Sequence, residues 1–232
     1  TRMWGAERVG LAVLRAFPRA RLLTSVYSSS QTYRDFERHH VDTTWLQHVP
    51  LVRNDPRAAL PILGSAFERV EVRGADLVIC SSSGWAHAVR TDAPKIVYCH
   101  NPARWLYQPQ DYLSDHPVRA HLLASRLFDG MRRRDRAWAL GATTYLANST
   151  VVQSRVAEAY GITAEVLHPP AGLAPDGERV PVADIQPGYF LTVSRDRAYK
   201  NVSAVVQAFD DLPAERLVVV GEAGSTNGSA PN

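Results

Sequence analysis

Apolar residues form two patterns along this chain, helical stripes and short unbroken runs, and the two alternate. Val9, Val13, Leu14 and Phe17 recur at the helical period and predict a helix over Glu7–Phe17; Leu22–Tyr27 predicts a short strand after it. Residues 28–75 show little beyond a helix expected near Ala58–Val70. The pattern then sharpens. Leu77–Cys80 and Ile96–Cys99 are continuous apolar runs, as in strands buried on both faces. Between them, Gly84–Val89 reads as the start of a helix behind the capping candidates Ser81, Ser82 and Ser83. A long helix from about Val118 to Leu140 turns Leu122, Phe128, Met131 and Trp138 to the core. Thr143–Ala147 predicts a strand. Asn148 and Ser149 cap a helix that runs to Tyr160 and ends at Gly161. Ala164–Leu167 predicts another strand, stopped by Pro169 and Pro170.

Pro, Gly and mixed charge over 171–188 mark a connection. Beyond it, Tyr189–Val193 predicts a strand, Asn201–Phe209 a helix and Arg216–Val220 a strand. Buried strands alternating with helices argue for an α/β protein with parallel, doubly wound sheets. The expected domains are residues 1–175, a linker at 176–188, and the start of a second domain at 189–232. Both ends read as cut. No strand precedes the first helix, and two strands are too few to make a second core. The polar stretch Ser225–Asn232 reads as a loose end.

Composition adds modest constraints. Hydrophobic residues make up 45% of 232, enough for a sizeable core. The net charge of +3 does not by itself imply nucleic acid, but it suits an acidic substrate such as a sugar nucleotide or a lipid diphosphate. Arg dominates the basic residues and favours bidentate phosphate contacts. Cys80 and Cys99 match no zinc spacing and read as buried, reduced thiols of a cytoplasmic protein; a disulfide or metal site is the alternative. No apolar run reaches the ~18 residues of a membrane span.

Ligands of open parallel sheets bind beyond the carboxyl ends of the strands. Four such ends carry polar or small residues. At the first, Ser81, Ser82 and Ser83 precede Gly84 and offer hydroxyls and amides to an anion or a sugar; a plain helix cap is the alternative. Ser83 with His87 raises a serine hydrolase, but the Gly-x-Ser-x-Gly elbow is absent. At the second, His100 directly follows an apolar run. Its imidazole can donate to a sugar hydroxyl or move a proton, or it can be a structural, hydrogen-bonded histidine. Beside it, Arg104 can meet an acceptor phosphate, and Trp105 and Tyr107 can stack on a sugar ring. At the third, Arg195 ends a strand and Lys200 opens a helix, two cations that can stabilise charge on a departing diphosphate; solvated surface charge is the alternative. At the fourth, Gly221 and Gly224 let a ligand approach the backbone.

Other constellations fail. Adjacent His39 and His40 point to different faces and cannot share a metal unaided. There is no Asp-x-Asp pair and no Gly-x-x-x-x-Gly-Lys-Ser/Thr phosphate loop. The run Arg132–Arg136 reads as a solvated helix face, with anionic lipid or a diphosphate acceptor as the alternative. No nucleic-acid motif is present.

Six segments stand in one order: Gly5–Val9, Asp76–Gly84, Tyr98–Trp105, Tyr145–Ser149, His168–Pro170, and Leu191–Arg195 with Lys200. The series resembles glycosyltransferase family 4, the group 1 glycosyltransferases. It is most similar to bacterial mannosyltransferases that build O-antigen and related polysaccharides, and it spans nearly the whole chain. The resemblance implies a GT-B fold: a Rossmann-like acceptor domain, then the beginning of a Rossmann-like donor domain. It implies a retaining hexosyl transfer, with a nucleotide sugar such as GDP-mannose as donor and a lipid-linked saccharide as acceptor. No metal or other cofactor is implied. A cytoplasmic setting is expected, with peripheral contact at the inner face of the membrane. Carried over, Gly5 and Gly221 lie near the donor, Arg195 and Lys200 bind its diphosphate, and His100 faces the transferred sugar. Ser82, Ser83, Arg104 and Trp105 are expected on the acceptor side. Trp4 stands where the family usually has glycine, and the family's two donor-side glutamates belong to a region past the last residue. Two alternatives stand beside this reading: a non-catalytic fragment that binds sugar nucleotide or glycan, and a sugar-nucleotide epimerase of GT-B type.

Overall fold

The unbroken apolar runs become the strands of a parallel sheet. A computed structural model describes residues 5–54, 59–109, 121–171, 182, 185–194 and 200–221. These fall into two compact units. The first holds the described residues up to Gln108 and from His121 to Ala171; the second holds Pro109 and those from Val182 onward.

In the first unit, β1 (Leu22–Thr24) pairs with β2 (Val41–Thr43) in parallel. The short β3 (Glu71–Val72) pairs in parallel with β5 (Arg90–Thr91). The central sheet contains β4 (Val78–Ser82), β6 (Lys95–Cys99), β7 (Thr144–Ala147) and β8 (Glu165–Val166). All are parallel, in the order β4-β6-β7-β8. The protein is therefore α/β with parallel sheets.

Helix α1 (Gly5–Ala16) packs alongside β4, and α2 (Pro50–Asn54) and α3 (Leu63–Glu68) follow. The short α4 (Arg104–Tyr107) precedes the long α5 (His121–Leu140), and α6 (Thr150–Tyr160) joins β7 to β8. One face of the central sheet is the core. Cys80, Val97, Cys99, Tyr145 and Ala147 meet Ala139 of α5 and Val152, Val156 and Tyr160 of α6. Each large side chain buried there contributes about 1.5–3 kcal/mol. Helix α6 ends as its residues require. Ser149 Oγ accepts from the Val152 amide at 3.3 Å, and Gly161 closes the helix in the left-handed region, φ 70°.

Several expectations change. In α1, Leu11 is buried with Val9 and Leu14, whereas Phe17 lies beyond the helix and is 48% exposed. The strand expected at Leu22–Tyr27 stops at Thr24. Residues 84–89 make no α-helix, only a single turn of 3-10 helix at Ala86–Ala88, so Ser81, Ser82 and Ser83 cap none. Reading Arg132–Arg136 as wholly solvated fails at Asp135, which is fully buried. Arg132 donates from Nε and Nη2 to the Leu106 carbonyl, at 3.1 and 2.8 Å. Arg136 donates to that of Tyr160, and Arg134 pairs with Glu68. These cations staple α5 to its neighbours. Val118 and the Leu122 side chain lie outside the described residues.

In the second unit, β9 (Phe190–Val193) and β10 (Leu217–Val220) pair in parallel. Helix α7 (Val202–Ala208) lies between them in sequence, and Phe190 stacks edge-on to Phe209 at 5.5 Å. Leu191, Val193, Val219 and Val220 are exposed. Most of the expected linker 176–188 and all of 225–232 lie outside the described residues.

Candidate functional site

Strand alternation divides the polar end of β4. Ser81 pairs in register with Tyr98, and Ser82 with Cys99, so the two serines leave opposite faces of the sheet. Ser81 is exposed and Ser82 buried.

On the exposed side, four strand ends bring polar groups to one edge. Ser81 belongs to β4, His100 follows β6, Asn148 follows β7, and His168 lies just past β8. Ser81 Oγ is 2.9 Å from His100 Nε2. The His100 amide donates to the Ser82 carbonyl at 2.8 Å, and Asn148 Nδ2 donates to the His100 carbonyl at 3.3 Å. His168 Nδ1 lies 3.3 Å from the Asn148 carbonyl. A carbonyl only accepts, so the proton of that imidazole sits on Nδ1. Burial lowers the His100 pKa to about 4, so the ring is neutral at neutral pH. Such an imidazole exchanges hydrogen bonds with hydroxyls but offers no positive charge to a phosphate.

On the buried side lies a second cluster, built from residues far apart in sequence. The Gly84 amide donates to Ser82 Oγ at 3.2 Å, and that hydroxyl lies 3.4 Å from His87 Nδ1. His87 Nε2 is 2.8 Å from Asp135 Oδ1, and the Tyr160 hydroxyl donates to Asp135 Oδ2 at 2.9 Å. One proton assignment satisfies the chain: Ser82 O–H to His87 Nδ1, and His87 Nε2–H to Asp135. Burial and the Asp135 charge both hold Tyr160 far from ionisation. Lys95 Nζ donates to the carbonyls of His87 and Val89, at 2.8 and 3.2 Å.

The grouping of Ser82, His87 and Asp135 resembles a hydrolytic triad in composition only. The serine meets Nδ1 and the carboxylate meets Nε2, the reverse of the chymotrypsin arrangement. Ser82 is 1% exposed and His87 and Asp135 are fully buried, so no substrate reaches them. The cluster is a structural polar core.

The expected site residues separate accordingly. His100 and Ser83 lie at the open edge. Ser82 is removed from the acceptor set by its burial. Trp105 is removed too, because it is 6% exposed and stacks on Trp85 and Phe128, each at 5.7 Å. Tyr107 packs edge-on to Tyr160 at 5.6 Å and belongs with the buried cluster rather than a sugar platform. Arg104 is half-buried and opens α4. Its loop is braced by Arg155 Nη1, which donates to Asn101 Oδ1 at 2.7 Å. Gly5 opens α1 and is exposed. In the second unit, Lys200 is exposed and precedes Asn201, whose φ is 51°; Gly221 follows β10 and is exposed. Arg195 lies outside the described residues.

The sequence reading included Ser81 among the polar groups at the first strand end but missed its contact with His100, Asn148 as more than a cap, and the buried His87–Asp135 pair. A signal for Asp135 existed. Phe128, Met131, Asp135 and Trp138 share one helical stripe, so the carboxylate sits at a core position. Cys80 and Cys99 are free and buried, and burial pushes their thiols up to about 11 and about 12. No group of three metal-ligating side chains occurs among the described residues. No described helix is long and apolar enough to cross a membrane. A shallow recess of about 320 Å³, lined by Thr143, Thr144 and Ile162, lies at the start of β7, the opposite edge from His100. Compared with protein-family models, curated proteins and solved structures, the chain matches none.

Proposed function

We propose that this chain serves a retaining glycosyl transfer of GT-B type, moving a hexose from a nucleotide sugar to a lipid-linked saccharide. The observation that carries the reading is the neutral imidazole of His100 at the carboxyl edge of a parallel sheet, among hydroxyl and amide groups. That chemistry suits a sugar. In this reading His100 orients the transferred hexose, taken as mannose from GDP-mannose. Ser83 and Arg104 face the acceptor. Arg195 and Lys200 bind the donor diphosphate and take the place of a metal.

The bond from the anomeric carbon to the diphosphate breaks, and a bond to the acceptor oxygen forms on the same face. The acceptor proton passes to an oxygen of the departing diphosphate. Cationic side chains stabilise the charge growing there. Peripheral contact with the inner membrane surface follows from a lipid-linked acceptor.

Thermal stabilisation by GDP- and UDP-sugars, followed by transfer to a lipid-linked acceptor, tests the reading. Expected are a shift with one donor class, its loss in Arg195→Ala and Lys200→Ala, and acceptor-dependent release of the nucleoside diphosphate. His100→Ala should keep donor binding and lose turnover. A shift retained in both cation variants, or wild-type turnover in His100→Ala, removes those assignments. Donor binding without transfer would favour a binding protein, and a changed sugar nucleotide without acceptor would favour an epimerase.

A further inference from the structure

His100 owes its orientation to more than its place after β6. Both its backbone groups are engaged, the amide by the Ser82 carbonyl and the carbonyl by Asn148 Nδ2. Its ring stands edge-on to Tyr98 at 5.2 Å, and Tyr98 is itself anchored through its hydroxyl to the Leu167 carbonyl at 2.9 Å. What still selects among ring rotations is Ser81. That residue pairs with Tyr98 across β4 and β6, two positions before His100, and so shares its sheet face. Its hydroxyl sits 2.9 Å from Nε2, while Nδ1 has no hydrogen-bond partner among the described residues.

We propose that Ser81 is a positioning residue: by engaging Nε2 it holds the His100 imidazole in one orientation and one tautomer and presents Nδ1 to a hydroxyl of the sugar. The inference rests on the glycosyl-transfer reading of the same edge. A neutral imidazole carries one proton, so fixing the role of Nε2 fixes that of Nδ1 as donor or acceptor. A serine hydroxyl and a sugar hydroxyl can each donate or accept, so each tautomer gives a complete relay of one sense, and which of the two Ser81 selects is what the ring spectra read. A phosphate could pair with only one of the two and would find no charge there. The position therefore suits the hydroxyl-bearing part of the donor better than its diphosphate.

The full chain labelled with nitrogen-15 in histidine provides the first test. Ring nitrogen–proton correlations near neutral pH report the tautomer, with the His100 signals identified by their loss in His100→Asn. Wild type and Ser81→Thr should each show one tautomer, and Ser81→Ala a mixture. A mixture in wild type, or an unchanged spectrum in Ser81→Ala, overturns the proposal. A double-mutant cycle in the transfer assay provides the second. Ser81→Ala should lower kcat by about tenfold to a hundredfold with the donor KM nearly unchanged, Ser81→Thr should restore it, and Ser81→Ala should add nothing in the His100→Asn background. Equal losses in both backgrounds would mark Ser81 as merely structural. If wild type transfers no sugar at all, the glycosyl-transfer reading fails, while the ring spectra still decide whether Ser81 sets the tautomer.

Discussion

Ser81 and Ser82 are neighbours in β4, and each hydroxyl lies beside a histidine ring, yet the two pairs sit in opposite environments. Ser82 and His87 are buried with Asp135 and Tyr160, and every polar atom along that chain is engaged within the protein. Ser81 and His100 stand at the open edge, with one ring nitrogen engaged and the other without a partner among the described residues. The residue types hardly differ. Solvent access and hydrogen-bond satisfaction decide which pair holds the fold and which is available to a ligand.

Breaking the buried member should have the largest effect. Asp135→Ala leaves His87 and Tyr160 without their acceptor in the core and should cost about 3–5 kcal/mol, read by urea denaturation. Gly84 joins the two regions. Its φ of 156° suits glycine, whereas a Cβ there would make only ordinary contact with Ala103, at 3.4 Å, so Gly84→Ala should cost about 1–3 kcal/mol through backbone strain, by the same measurement. Ser82→Ala removes the acceptor of the Gly84 amide and the partner of His87, for about 1–2 kcal/mol and no change in ligand selectivity.

The edge should show itself in pH dependence. The folded-state pKa of His100 is depressed from 6.5 to about 4, so the unfolded chain binds the extra proton between those values. Stability from this group is complete above about 6.5 and declines as pH falls towards about 4. Wild type should therefore lose about 1 kcal/mol more than His100→Asn over that window, after allowance for solvent screening of the half-buried ring. Ser81→Ala should change stability least, within about 0.5 kcal/mol. A large stability loss in Ser81→Ala, or a negligible one in Asp135→Ala, would reverse the assignment of the two pairs.

Much of the framework was legible because it is local. The apolar runs became β4, β6 and β7, Ser149 and Gly161 bounded α6, and the stripe from Phe128 to Trp138 marked α5. The three strands β2, β3 and β5 were not, because each is two or three residues long and, unlike β1 and β8, stands in no longer stretch that reads as a strand. Residues 84–89 failed differently. The serines before them suggested a capped helix, but the chain turns once and enters β5, with Trp85 held between Trp105 and Trp138. His100 was legible from its place after an apolar run. Trp105 was misjudged because an aromatic residue near a strand end looks the same whether it faces a ligand or other aromatic rings.

The sequence alone determined that a strand leads up to Ser81 and Ser82, although it read the two as helix caps; once β4 runs on to Ser82, alternation sends them to opposite sides. It also determined that a polar residue falls on the core stripe of α5. Only the tertiary structure decided which side is closed. His87 and Asp135 are 48 residues apart, and Asp135 and Tyr160 are 25 apart. Their meeting depends on how α5 and α6 pack on the sheet, so a buried carboxylate acquires its partners through the fold and not through its neighbours in the chain.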